Sequence, residues 1–390
     1  MPLKTLRRDR QGQGGFTLVE IMVGMLIGLI GIIVIFQVFQ LTESRKRTTT
    51  AGSDAQIAGS VAMFSLERDL RLGGFGFGAA ASASGGGLMG CNVNVFDNAN
   101  PATNFALRLA PVVITDGVAG APDSITVLWG SSLTFSNFET FSATSDTSKL
   151  LKFRNGIDRG DLAVVGGPLT TAPQGCHLIQ VTDNTNADQR TINHIAGNYT
   201  SKDGTTALIT RYNNPGGPGM TFAGAGIVFD LGPYPRANKW SIRNGKLTLE
   251  DLLHYVDLNP ADGQNDWIEI ADGVLDLQAQ YGYDANLDGQ IADNEWTVAT
   301  PPTNADWSKV LAIRVAILAR SGEYEKGYTA TTPVWGCGMS VSCTNFLMTN
   351  LDGSAGATTP TDPTVDWRHY RYRVYETVVP FRNVIWGAAP

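Results

Sequence analysis

The chain has 390 residues, 43% of them hydrophobic, with 29 basic and 36 acidic side chains and a formal charge of −7. This acidic balance argues against broad nucleic-acid binding. The sequence has no HExxH, GxSxG or P-loop pattern, and its four histidines are scattered, so the expectation is that it is not an enzyme.

Residues 1–15 form a short leader with Lys4, Arg7, Arg8 and Arg10 against Asp9, ending in Gly14-Gly15. From Phe16 to Leu41 the chain stays apolar, and its only charge is Glu20. A helix needs roughly 20 residues to cross a bilayer, and this stretch supplies them. The basic leader keeps the start cytoplasmic. A secretory signal would place its small residues after the apolar run, whereas here the glycines precede it. A cut after Gly15 therefore leaves the anchor on the mature protein. It also leaves 25 basic and 35 acidic residues, a charge of −10. A carboxylate within lipid costs at least about 2.5 kcal/mol, so Glu20 is a functional candidate.

Gly15-Phe16-Thr17-Leu18-Val19-Glu20 resembles the start of type IV pilins and pseudopilins. The resemblance implies that a prepilin peptidase cleaves after Gly15 and methylates the new N-terminal Phe16. It also implies that Glu20 pairs with the Phe16 amine of a neighbouring subunit and sets axial register, since an unpaired buried charge is costly. Many major pilins have a helix-kinking proline in this segment; here Gln37 stands near that place and no proline lies between Phe16 and Arg71. That departure, and the length, suit a minor pilin.

The helix is expected to run over residues 16–72, membrane-spanning over about 16–41. Ile57, Val61 and Phe64, with Leu66 and Leu70, form its apolar face, and Gly73-Gly74 ends it. Residues 73–90 read as a Gly/Ala/Ser-rich linker. Residues 91–390 read as a β-rich head, in keeping with 44 glycines and many turn residues. Strands are expected at Ser124–Trp129, 162–165, 207–212, 239–242, 246–249, Val274–Tyr283, Val310–Arg320 and 370–381. The fold class is thus α+β and pilin-like: a long N-terminal helix carrying a large antiparallel β-rich head. Cys337 and Cys343, six apart, are expected to form a disulfide; Cys91 with Cys176 then follows by elimination.

Residues 284–295, Asp-Ala-Asn-Leu-Asp-Gly-Gln-Ile-Ala-Asp-Asn-Glu, fit the twelve-residue calcium pattern. Oxygen ligands would come from Asp284, Asn286, Asp288, the Gln290 carbonyl and Glu295 as a bidentate carboxylate, with Gly289 at the sharp turn. The expected cofactor is calcium, held in a β context.

The tail, with Val310–Arg320 and then 370–383 ending in Arg382-Asn383, resembles the C-terminal half of the PilW family of minor pilins. That resemblance implies a minor pilin that primes pilus assembly and sits at or near the tip. It implies inner-membrane anchoring before assembly, with the head periplasmic, and pilus or cell-surface placement afterwards. The implied partners are other minor pilins, the major pilin, the prepilin peptidase, the inner-membrane assembly platform, a tip adhesin and the lipid bilayer. A minor pseudopilin of type II secretion is an alternative, and a tip adhesin or DNA-uptake binding module is another.

Overall fold

The computed structural model describes residues 15–81, 88–99, 104–132, 138–154, 156–167, 175–185, 190–216, 225–254, 266–325, 327–336, 344–348 and 366–387. Residues 1–14 of the leader, and Cys337 and Cys343 with the loop expected between them, lie outside these. The chain divides into two units, Met1–Gly52 and Ser53–Pro390, and one helix, Leu18–Leu70, contributes to both.

In the first unit the stretch Leu18–Glu43 has a mean hydropathy of 2.8, and none of it is buried within the chain. A helix satisfies its own backbone hydrogen bonds, which is what an apolar segment in lipid requires. Its start is capped: Glu20 N–H donates to the Thr17 hydroxyl at 3.3 Å and to the Thr17 carbonyl at 3.0 Å. Thr17-Leu18-Val19-Glu20 has the Thr-x-x-Glu spacing of a capping box.

In the second unit the helix buries Ala55, Gly59, Ala62, Met63, Leu66, Asp69 and Leu70, one face at helical spacing. This corrects the expected face. Leu66 and Leu70 are on it, but Ile57, Val61 and Phe64 point outward, 60%, 45% and 69% exposed. Small residues let the sheet approach closely. A Cβ at Gly59 would lie 2.1 Å from the Tyr375 ring, whose hydroxyl donates to the Gln56 carbonyl at 2.9 Å.

Beyond the helix, the segment expected as a linker is packed in its described part. Phe77, Leu88 and Met89 are buried, and a Cβ at Gly78 would meet the Asn383 carbonyl at 2.0 Å. Its glycines are where the two backbones touch.

Three larger sheets form the rest. The eight-stranded one runs, edge to edge, Phe105–Arg108, Asn92–Val95, Cys176–Gln180, Leu162–Gly166, Ala225–Gly232, Glu139–Ser145, Ser148–Leu151 and Thr191–Asn193. The five-stranded one runs Ile268–Asp272, Lys246–Asp251, Arg236–Arg243, Ser124–Trp129 and Val112–Thr115. The four-stranded one runs Trp296–Thr297, Val274–Tyr283, Val310–Arg320 and Tyr372–Pro380. Described pairings between these strands are antiparallel except one: Asn92–Val95 lies parallel to Cys176–Gln180.

Several sequence-expected strands keep their bounds, and others shift at the ends. The expected 207–212 strand is only Ala207–Ile209, and 370–381 narrows to Tyr372–Pro380. Asn244-Gly245, both at positive φ, turn the hairpin between Arg236–Arg243 and Lys246–Asp251.

A large core joins Leu66, Leu70 and Phe77 to Ile125, Trp240, Leu277, Tyr281, Trp307 and Ile313. Tyr281 ties two sheets: its hydroxyl oxygen accepts the Ile114 N–H at 2.6 Å, and its ring meets Trp307 edge-on at 5.7 Å. Smaller cores cover the far faces of the eight-stranded sheet (Phe141, Val165, Ile179) and the four-stranded sheet (Trp335, Phe346, Trp367).

Candidate functional sites: the N-terminal segment and the acidic loop

Gly15 and Phe16 precede the helix in exposed chain outside any helix or strand, and Phe16 is 79% exposed. Among the described residues, nothing covers this bond. Glu20 sits in the helix's first turn, where the unpaired N–H groups and the dipole favour negative charge.

The acidic loop joins Val274–Tyr283 to Trp296–Thr297, whose register is Tyr281↔Thr297 and Gly282↔Trp296. It is therefore the loop of a β-hairpin, not the link between two helices. Its first and last acids hold it shut. The buried Asp284 carboxylate accepts the N–H groups of Asp288 at 3.2 Å and Gly289 at 2.9 Å. The buried Glu295 carboxylate accepts those of Ala285 at 3.1 Å and Ala292 at 2.9 Å. Asn286 accepts from Asp288 N–H at 2.9 Å, and Asp288 from Gln290 N–H at 2.8 Å. These side-chain turns wind the backbone around a common centre, through left-handed Leu287 (φ 62°) and Gly289 (φ 78°).

The donor set of three carboxylates, one amide oxygen and one carbonyl suits a hard cation. Asn286, Asp288 and Gln290 are exposed, so an ion could reach them. Among the described residues, no three His, Cys, Asp or Glu side chains converge as in a preformed metal centre. In this loop the carboxylates of Asp284 and Glu295 are turned to backbone N–H groups instead. Ile291 lies inward, 3.2 Å from where a Cβ on Gly282 would sit.

On Val310–Arg320, Arg314 lies near two indoles, one of them Trp296 just after the loop. Its guanidinium is 5.2 Å from the Trp296 ring centroid and 5.1 Å from that of Trp335. Sequence reasoning passed over this stack, because its members are far apart in the chain.

Of the two expected disulfides, Cys91–Cys176 is formed, with its Cα atoms 6.1 Å apart. The pair Cys337–Cys343 lies outside the described residues.

Residues 10–36 match the prokaryotic N-terminal methylation motif. Residues 240–383 match the family model of type IV pilus-assembly protein W, a span that includes the acidic loop and the three long strands of the four-stranded sheet. No curated protein and no solved structure is similar enough to this chain to count as a match. The two family matches mark a type IV pilin-like protein of pilus assembly, and the motif with its single apolar helix fits a membrane-anchored pilin.

Proposed function

We propose that this chain is a minor type IV pilin that primes pilus assembly and is carried at or near the tip. One observation carries the reading: the methylation motif and the type IV pilus-assembly protein W match occur at opposite ends of the same chain, the first on an apolar helix and the second on a β-rich head. The helix anchors it in the inner membrane with the head periplasmic until the filament takes it up. Its partners are other minor pilins, the major pilin, the prepilin peptidase and the assembly platform. It acts through surfaces, not by turnover of a substrate.

The test is deletion of the gene with counting of surface pili and of twitching. Loss of both, restored by wild type but not by Glu20→Ala, supports the role. Intact pili with blocked protein secretion would assign the chain to a type II secretion system instead.

The acidic loop is proposed to hold calcium through Asp284, Asn286, Asp288, the Gln290 carbonyl and Glu295. When bound, the ion would draw the three carboxylates together and neutralise them. The chain's own contribution is to keep the loop closed through Asp284 and Glu295 while Asp288 remains open to solvent.

A further inference from the structure

A cavity of about 320 Å³ opens on the eight-stranded sheet. None of its lining residues belongs to the N-terminal helix, to the acidic loop or to either matched segment.

Its floor is set by strand register. Asn94 pairs with Ala106 on one side and with His177 on the other, so the three form a row on one face. The Asn94–His177 pairing belongs to the parallel ladder. The Cys91–Cys176 disulfide ties those two strands together, immediately before His177 and three residues before Asn94. The floor is thus stapled covalently from beneath. Asn94 is exposed, and its carboxamide makes no hydrogen bond among the described residues.

The lining is uncharged. Phe105, paired with Val95, and Tyr212 turn their rings into the main core on the opposite face. Asn213 is locked by exchanging hydrogen bonds with the Gln180 backbone, at 2.8 and 2.7 Å, which fixes that wall. His194 is 3% exposed, and its buried Nε2 has no hydrogen-bond partner. Burial, with Lys149 nearby, takes the His194 pKa down to about 3, and burial lowers that of His177 as well. Both imidazoles are neutral at physiological pH. The described lining residues include no Lys, Arg, Asp or Glu.

We propose that this cavity binds a neutral saccharide of one or two rings. Carboxamide and neutral imidazole groups match hydroxyls, which both donate and accept. A volume near 300 Å³ is at the small end for ligand sites, which suits a ring or two and not a long chain. An anionic ligand would be stripped of water without gaining a counter-charge.

The test uses the full-length protein in lipid nanodiscs, because glycoside detergents would themselves present sugar. Saturation-transfer NMR is run with free glucose, galactose, mannose, N-acetylglucosamine and lactose. At least one is expected to bind saturably in the millimolar range. Asn94→Ala and Ala106→Phe are each expected to weaken that binding by about tenfold or more. Both positions are exposed, so the melting temperature should hold. Phosphorylated and sialylated sugars should give no signal. The proposal is overturned if no sugar in the panel saturates, if both variants bind as wild type does, or if the anionic sugars bind equally well.

Discussion

The carboxylate of Asp69, one residue from the helix end, accepts the indole N–H of Trp240 at 2.7 Å across 171 positions of sequence. It also accepts the Trp129 indole at 2.8 Å and the Asn238 amide at 3.0 Å. Burial raises the Asp69 pKa, and these three donors oppose that rise. The helix is pinned to the five-stranded sheet through this single side chain. Asp69→Ala would leave three donors unsatisfied in the interior. At roughly 1–3 kcal/mol for each orphaned group, the expected loss of unfolding free energy is at least about 3 kcal/mol. Arg68→Ala, next to it but exposed, should cost under about 0.5 kcal/mol. Denaturant melts of the two variants check this, and equal losses would refute the pin.

Asp161 gives a pH signature. Its carboxylate accepts the Asp158 N–H at 2.7 Å, yet burial, with Asp230 and Asp158 close by, raises its pKa to about 7. An unfolded aspartate titrates near 3.9. The proton is thus held more tightly in the folded state. The resulting stability is full below about pH 4 and is lost as pH rises through about 7. Asp161→Asn cannot ionise, so its stability relative to wild type should climb from about pH 4 to about pH 8. His194 has the opposite sign. Its folded pKa of about 3 lies below the ordinary imidazole value. Wild type therefore loses stability as pH falls below about 6.5, and His194→Gln should gain on it there. Flat differences across these windows would show that neither group is buried as described.

What the sequence made legible followed from how local each signal is. Val274–Tyr283 and Val310–Arg320 are long, apolar and bounded by turn residues, and they were readable to their ends. Most of the eight-stranded sheet was not, although Leu162–Gly166 was read nearly to its end, because its strands have eight residues or fewer and pair across distances such as the 85 residues between Cys91 and Cys176. The helix face was misjudged because the residues that pack, Ala55, Gly59 and Ala62, are small, while the large Ile57 and Phe64 face outward. Hydrophobicity measures the side chain, whereas close approach here depends on its absence. The processing motif and the acidic loop were legible because each is one contiguous run. Asn94 and His177 come from two strands and His194 follows a third, so no linear pattern could announce their cavity. Asp69 did leave a trace: it stands three residues after Leu66 and seven after Ala62, a charge on a face meant for burial.

The Cys91–Cys176 bridge should be a main support of the eight-stranded sheet. It closes a loop across 85 residues, and the chain-entropy model gives such a closure about 4–5 kcal/mol. Both sulfurs are buried, so reduction requires opening of the fold. Cys91→Ala/Cys176→Ala is expected to unfold well below wild type in urea. A double variant with an unchanged midpoint would show that the packing alone suffices.

Processing should occur between Gly15 and Phe16. Both residues are exposed, and the capped helix begins only at Leu18, so the bond lies outside the helix. Mass spectrometry of the protein purified from its own membranes should find an N-methylated Phe16 at the start. Gly15→Val should leave the full leader attached and prevent incorporation into filaments. A mature N-terminus elsewhere would refute the site.

The acidic loop should make the head sensitive to calcium. Asp284, Asp288 and Glu295 place three negative charges in one hairpin loop, although their carboxylates do not converge there. A divalent ion is expected to draw them together and order the turn. Binding to the folded state alone adds RT ln(1 + [L]/Kd), about 2.7 kcal/mol at a hundredfold excess over Kd. The full-length protein should therefore melt higher in calcium than in chelator. Asp288→Ala should abolish most of the difference, since Asp288 is exposed and its loss leaves the Asp284 and Glu295 clasps in place. Glu295→Ala should abolish it too, but also lower the melting temperature in chelator, because the Ala285 and Ala292 N–H groups lose their acceptor. Magnesium should substitute poorly, because it demands a tighter octahedral shell. Trp296 adjoins the loop and stacks on Arg314, so calcium should also shift indole fluorescence, and Trp296→Phe should remove that shift. A melting temperature indifferent to calcium through the millimolar range would reduce residues 284–295 to an ordinary hairpin loop.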